Sequence, residues 1–254
     1  QSIAPLILFQ LLTLYLLSCL VIVGPEQAGI HERMGRYLRT IPEPGAYFKL
    51  PWPFDRVYRF AARETKTIYL GHDPGETLPD KVLWTAKHYK SEYPVLVAAT
   101  VREGGTEAAP VNLLTATTTI RYRINDVKSW YYNCANSDKL LAAVCEREQI
   151  KYLAGVDLFA IMGVGREQAA TDLKERMQKA VDEVNLGVTI LGIGVEGMHP
   201  PVDEEGEVPK AFHELVNAST QREVDVLRAE ASRISTIARA NSGSEAIRSR
   251  ARAT

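Results

Sequence analysis

The sequence predicts an α+β chain: an N-terminal transmembrane helix, a domain of two α/β subdomains, and a long C-terminal helix of coiled-coil type. Three observations predict it. Residues 3–23 form an uncharged apolar run, a Gly/Pro-punctuated stretch of β-branched segments follows, and residues 210–240 lack Gly and Pro while being rich in Ala, Arg and Glu. The expected divisions are an anchor over 1–24, a membrane-proximal β-rich subdomain over 25–125 with an insertion at 71–110, a second α/β subdomain over 126–202, and the long helix over 203–254.

The apolar run reads IAPLILFQLLTLYLLSCLVIV, broken only by Gln10, Thr13 and Ser18. About 20 such residues at a rise of about 1.5 Å cross a hydrocarbon core of about 30 Å. A cleaved signal peptide has a basic start and a shorter apolar stretch, and a core helix seldom stays apolar on every face. No Lys or Arg precedes the run and the chain begins with Gln, so residues upstream are expected. Glu26, Glu32, Arg33, Arg36 and Arg39 after it are a mixed set that does not orient the helix.

With 30 basic and 31 acidic residues the chain lacks the basic excess of a nucleic-acid binder. Membrane lipids and proteins are the expected partners. Cys134 and Cys145 have neither CxxC spacing nor a neighbouring His, which argues against zinc and leaves a disulfide between them open.

Gly24-Pro25 closes the anchor, and Gly35, Gly45, Pro42, Pro44, Pro51 and Pro53 then impose short strands and tight turns. Strands are expected at 65–70, 93–101 and 111–124, the last with Ile120, Tyr122 and Ile124 on one face and Arg121 and Arg123 on the other. Within the insertion, 82–89 is expected to form a hairpin with 93–101. Ser137-Asp138 is read as the cap of a helix carrying Leu141, Val144, Cys145 and Tyr152. A second helix, 166–185, aligns Ala169, Leu173, Met177, Ala180 and Val184, and 188–198 reads as a strand with Leu191, Ile193 and Val195 on one face. In the tail, Val224, Leu227, Ala231, Ile234 and Ala238 alternate three- and four-residue steps, a heptad seam that fades at Asn241-Ser242-Gly243.

Three segments, VGPEQAGIHERMGRYLRTIPEPGAYFKLPWPFDRV, IRYRINDVKSWYYN and VTILGIGVEGMHPP, stand in this order between the apolar run and the long helix. So arranged, they resemble the stomatin/prohibitin/flotillin/HflK-HflC superfamily, also called SPFH or Band 7, most closely its HflK branch. The resemblance spans nearly the whole chain outside 71–110, which is longer and more aromatic than its counterpart. It implies a non-catalytic membrane scaffold that assembles into rings or cages with itself and an HflC-like second subunit. It further implies modulation of an FtsH-type membrane protease, at the bacterial inner membrane with the domain on the periplasmic side. A stomatin-like regulator of membrane channels shares the same fold.

The chain holds no GxSxG, HExxH or GxxxxGK[ST] motif. His31, His72, His88, His199 and His213 fall on different expected elements, and the densest set of metal-type ligands is His72, Asp73, Glu76 and Asp80. A tethered hydrolase or metal enzyme would have to place its site in 71–110. Glu196 and Glu204 near His199 could serve as acid and base, but His199-Pro200-Pro201 more simply ends a strand. No catalytic, cofactor or metal residue is therefore assigned. Two features point to scaffold function. Trp52 and Phe54, in the Pro51–Phe54 turn close to the anchor, are expected at the lipid surface, the alternative being closure of the small subdomain core. Val224, Leu227, Ala231, Ile234 and Ala238 are expected to bury their seam against another copy.

Overall fold

The computed structural model describes residues 3–73, 75–76, 89, 91–98, 111–163, 165–202 and 207–253. In chain order the elements are α1 (Ala4–Leu17), β1 (Leu20–Val23), β2 (Ala28–Arg33), β3 (Arg36–Ile41), β4 (Gly45–Phe48), β5 (Asp55–Phe60), β6 (Lys66–Leu70), β7 (Pro94–Ala98) and β8 (Val111–Ile124). There follow α2 (Val127–Tyr132), α3 (Ser137–Leu153), α4 (Leu158–Met162), α5 (Gly165–Glu183), β9 (Val188–His199) and α6 (Glu207–Arg252). The chain divides into two units, residues 1–199 and 200–254.

The largest sheet is built on β8. Its β-branched, alternating sequence spans 14 residues, and β6, β7 and β9 all pair with it antiparallel. Leu114, Ala116, Ile120, Tyr122 and Ile124 lie on its buried face, while Arg121 and Arg123 stay in solvent. Helices α3 and α5 contribute Leu141, Val144 and Cys145, and Ala169, Leu173, Met177, Ala180 and Val181, to the same core. Each large side chain buried here is worth about 1.5–3 kcal/mol, and truncating Leu173 to Ala costs about 2–5 kcal/mol.

Two bulges set the face of β9. Tyr122 opposes Ile190 and Arg121 opposes Gly192, so Leu191 is an extra residue; Glu196 is the second, between the partners of Thr118 and Thr117. Val188 and Ile190 are therefore buried and Leu191 is exposed, where uninterrupted alternation through Leu191, Ile193 and Val195 was expected. The guanidinium of Arg166 fills the second bulge, donating to the carbonyls of Val195 and Glu196.

Local chemistry corrects several other expectations. The cap of α3 is Asn136, whose side chain accepts from Lys139 N at 3.0 Å; Ser137 instead donates to Trp130 O, and Asp138 accepts from Tyr122 OH. Val181, not Val184, completes the buried stripe of α5. Segment 82–88 lies outside the described residues, and β7 is paired with β8. Strand β8 is bonded to β9 along Thr115–Ile124, so one sheet holds residues from both sides of position 125. All three cysteines are free.

The apolar run does not continue as one helix. It divides into α1, about 21 Å long at about 1.5 Å per residue, and β1, whose Leu-Val-Ile-Val sequence pairs with β4. No helix among the described residues is long and apolar enough to cross a membrane.

In the second unit, α6 is a 46-residue helix, about 69 Å long. It continues through Asn241-Ser242-Gly243, past the point where the seam was expected to fade.

Candidate membrane-facing surface

Every described side chain of α1 from Pro5 to Leu17 is exposed, and none is charged. Two hydroxyls along it bond back to the helix itself: Thr13 Oγ1 donates to Phe9 O at 2.9 Å and Ser18 Oγ to Tyr15 O at 2.6 Å. Hydroxyls satisfied by their own backbone demand nothing from the surroundings.

Directly after α1, the β1–β4 ribbon pairs Leu20 with Phe48 and Ile22 with Ala46, which sets these four side chains on one face. Leu20, Ile22 and Phe48 are exposed, Phe48 to 81 %. Lys49 N donates to Cys19 O, which fixes the start of the next turn at the foot of α1. That turn carries Leu50, Trp52 and Phe54, with a cis bond between Trp52 and Pro53. Trp52 is 63 % and Phe54 45 % exposed, so neither ring closes the small subdomain's core.

A buried carboxylate holds the turn. Asp55 opens β5, and its side chain is fully enclosed. It accepts from His31 Nε2 at 2.9 Å, from Arg33 Nε at 2.9 Å and Nη2 at 3.1 Å, and from Leu50 N at 2.8 Å. Phe54 N closes the turn onto Pro51 O, and Met34 N takes Phe54 O at 2.7 Å, tying it to the β2–β3 hairpin tip. The hydrogen-bonded Arg33 guanidinium holds the Asp55 carboxyl well below the usual range, against the opposing effect of burial, and Asp55 raises Arg33 in return. His31 and Arg33 alternate on β2, so both face Asp55 once β2 and β5 pair.

The structure thus brings Trp52 and Phe54 together at the foot of α1. Leu20, Ile22, Phe48 and the Asp55 network were not singled out from sequence. An available signal was His-x-Arg in one strand with a single Asp immediately after the Pro-Trp-Pro-Phe turn.

The seam residues Val224, Leu227, Ala231, Ile234 and Ala238 are all on α6 at helical spacing. Leu227, Ala231, Ile234 and Ala238 are exposed, and Val224 is half-buried.

Of the polar residues that could carry chemistry, His88 and Glu204 lie outside the described residues, and several others are engaged otherwise. His72 is buried and stacked on Tyr89, ring centres 3.6 Å apart, and burial pushes it down. Asp73 accepts from Tyr93 OH, Glu76 accepts from Ser91, and Asp80 lies outside the described residues. Among the described residues no group of three or more His, Cys, Asp or Glu side chains could hold a metal ion. Glu196 accepts from Thr119, His199 lies 3.7 Å from Glu92, and burial pushes the Cys145 thiol up to about 12, which leaves it unreactive.

A β-rich region carrying an exposed apolar foot, a mixed α/β region on one long strand and a long helix define a class of multi-part α/β proteins. The chain belongs to the SPFH domain / Band 7 family, whose model matches residues 21–233. It is 21 % identical over 196 residues to Protein HflK of Treponema pallidum, covering 76 % of this chain and 54 % of that one. With Protein HflK of Borreliella burgdorferi it shares 22 % over 218 residues, 81 % of this chain and 61 % of the other. With Protein HflK of Vibrio cholerae it shares 24 % over 121 residues, 47 % and 29 % respectively. The chain therefore spans between about a third and three fifths of these relatives.

Proposed function

We propose that this chain is a non-catalytic membrane scaffold. It attaches through α1 and the Leu50–Phe54 turn and assembles side by side into a ring or cage. Further copies supply the contacts, together with an HflC-like second subunit. The assembly borders a patch of bilayer and modulates membrane proteins there, an FtsH-type protease among them. The same reading puts it at the bacterial inner membrane with the domain on the periplasmic side. Its mechanism is binding and geometry.

The observation that carries this reading is the exposure of apolar residues on α1, the β1–β4 ribbon and the turn, with the turn held by a buried ionic network instead of being folded inward. Rings of this size placed at the headgroup level release apolar area from water and keep their backbone polar groups satisfied. The test is liposome flotation of the chain lacking α1, compared with its Trp52→Ala/Phe54→Ala variant. Removing two rings that each bury about 1.5–3 kcal/mol of apolar surface should weaken binding by tenfold or more. Flotation unchanged by the double substitution removes the turn from the membrane.

A further inference from the structure

The sheet β3–β2–β5 has two faces. One carries Tyr37, Glu32, Tyr58 and Phe60, and α2 lies against it: Tyr132 meets Tyr37 and Glu32, and Tyr131 meets Tyr58 and Phe60. The other is set by three cross-strand rows. They are Ile41–Gly29–Arg59, Arg39–His31–Val57 and Arg36–Arg33–Asp55. Four arginines and one carboxylate share this second face, and the carboxylate is enclosed and already bonded to Arg33 and His31.

Arg36 and Arg39 sit on the outer strand β3, both exposed, and neither has a carboxylate partner among the described residues. Arg59 donates to Ile22 O, which ties the ribbon to this sheet. The Arg36–Arg33–Asp55 row adjoins the hairpin tip at Met34, and Met34 is bonded to Phe54 of the apolar turn. An apolar tip formed by Met34, Leu50, Trp52 and Phe54 therefore has a collar of cationic side chains immediately behind it. Long arginines beside inserted aromatics reach the phosphate level of a bilayer.

We infer that the arginine face of the β3–β2–β5 sheet binds the anionic phosphate headgroups of phospholipids, so that this domain selects negatively charged membrane. The inference rests on the membrane reading above and adds a lipid class to it. Charge complementarity singles out this partner. The sheet face is cationic, it lies next to the apolar foot, and bidentate guanidinium–phosphate pairing suits side chains with no internal partner.

The test uses the full chain and two kinds of vesicle, phosphatidylcholine alone and phosphatidylcholine with about 30 % phosphatidylglycerol. The quantity read is the ratio of the two partition coefficients. The uncharged α1 contributes equally to both and cancels. Wild-type protein should prefer the anionic vesicles, and about 0.5 M salt should collapse the preference. Each arginine near a charged surface is worth about fivefold, so Arg36→Gln/Arg39→Gln should cut the ratio by about 25-fold, while Arg36→Lys/Arg39→Lys should keep most of it. Equal binding to both vesicles, or a ratio that the Gln pair leaves unchanged, overturns this inference alone. Binding to neither overturns the membrane reading as well.

Discussion

Replacing Asp55 by Asn tests whether the apolar turn is held by a buried ionic network. The two carboxylate oxygens accept four hydrogen bonds, one at Oδ1 from Arg33 Nε and three at Oδ2 from Arg33 Nη2, His31 Nε2 and Leu50 N. Asn offers a single acceptor oxygen. Whichever way its amide turns, at least one donor then faces an NH2 group. A hydrogen bond from a charged group is worth about 1.5–3 kcal/mol and a neutral one about 1 kcal/mol. The loss is moderated because Arg33 is half exposed and regains water. The expected cost is about 3 kcal/mol at pH 7, measured by urea unfolding followed by tryptophan fluorescence and circular dichroism.

The pH dependence gives a second handle. Asp55 titrates well below its unfolded value, so its contribution is complete above about pH 4–5 and is lost as the pH falls from there. The gap between wild type and Asp55→Asn should shrink by about 1.4 kcal/mol for each pH unit below about 4. A gap under about 1 kcal/mol at pH 7, or one that stays constant from pH 6 to about 2.5, refutes the assignment.

Leu227→Asp with Ile234→Asp places two charges on the α6 seam, and sizing in mild detergent should show large assemblies falling to small species; undisturbed particles count against a seam between copies. Asn136→Ala removes the side-chain acceptor for Lys139 N and should lower the unfolding free energy by about 1 kcal/mol, whereas Ser137→Ala acts through Trp130 O and leaves the cap in place. Gly71→Ala should prevent accumulation of folded protein, because φ is +96° and an added Cβ would lie 2.2 Å from Ala116 O; normal yield with an unchanged melting temperature contradicts that packing.

What could be read from the chain was what short-range periodicity encodes. The span of β8 and the alternation of its Ile, Tyr and Arg side chains follow from a half-buried strand with period two, and the buried stripe of α5 follows from helical spacing. The face of β9 was not legible, because Leu191 and Glu196 are bulged out by the register of a strand some 70 residues earlier in sequence. The site divides the same way. Trp52 and Phe54 stand out because a proline-rich turn holding two large rings is unusual. Asp55 does not, because a lone Asp is ordinarily solvated; its partners His31 and Arg33 lie 24 and 22 residues away and reach it only through the pairing of β2 with β5.

The apolar run at the start of the chain shows how composition and geometry separate. Hydropathy treats Ile3 to Val23 as one segment, yet the backbone needs of its two ends differ. Residues 4–17 satisfy their hydrogen bonds within a helix. Leu20 to Val23 satisfy theirs through β4, which brings Phe48 beside Leu20 and starts the Leu50–Phe54 turn at the foot of α1. Had these four residues stayed helical, β4 would have no partner in its two-stranded ribbon, and Lys49 N would lose Cys19 O as its acceptor. The strand therefore does what a longer helix could not: it pairs with β4 and so starts the apolar turn beside the end of α1. The Asp55 variant is informative for the same reason, since releasing the turn should weaken lipid binding even with Trp52 and Phe54 both present. Flotation of Asp55→Asn lacking α1 at wild-type strength, under conditions where it remains folded, would mean that the rings act without the network that positions them.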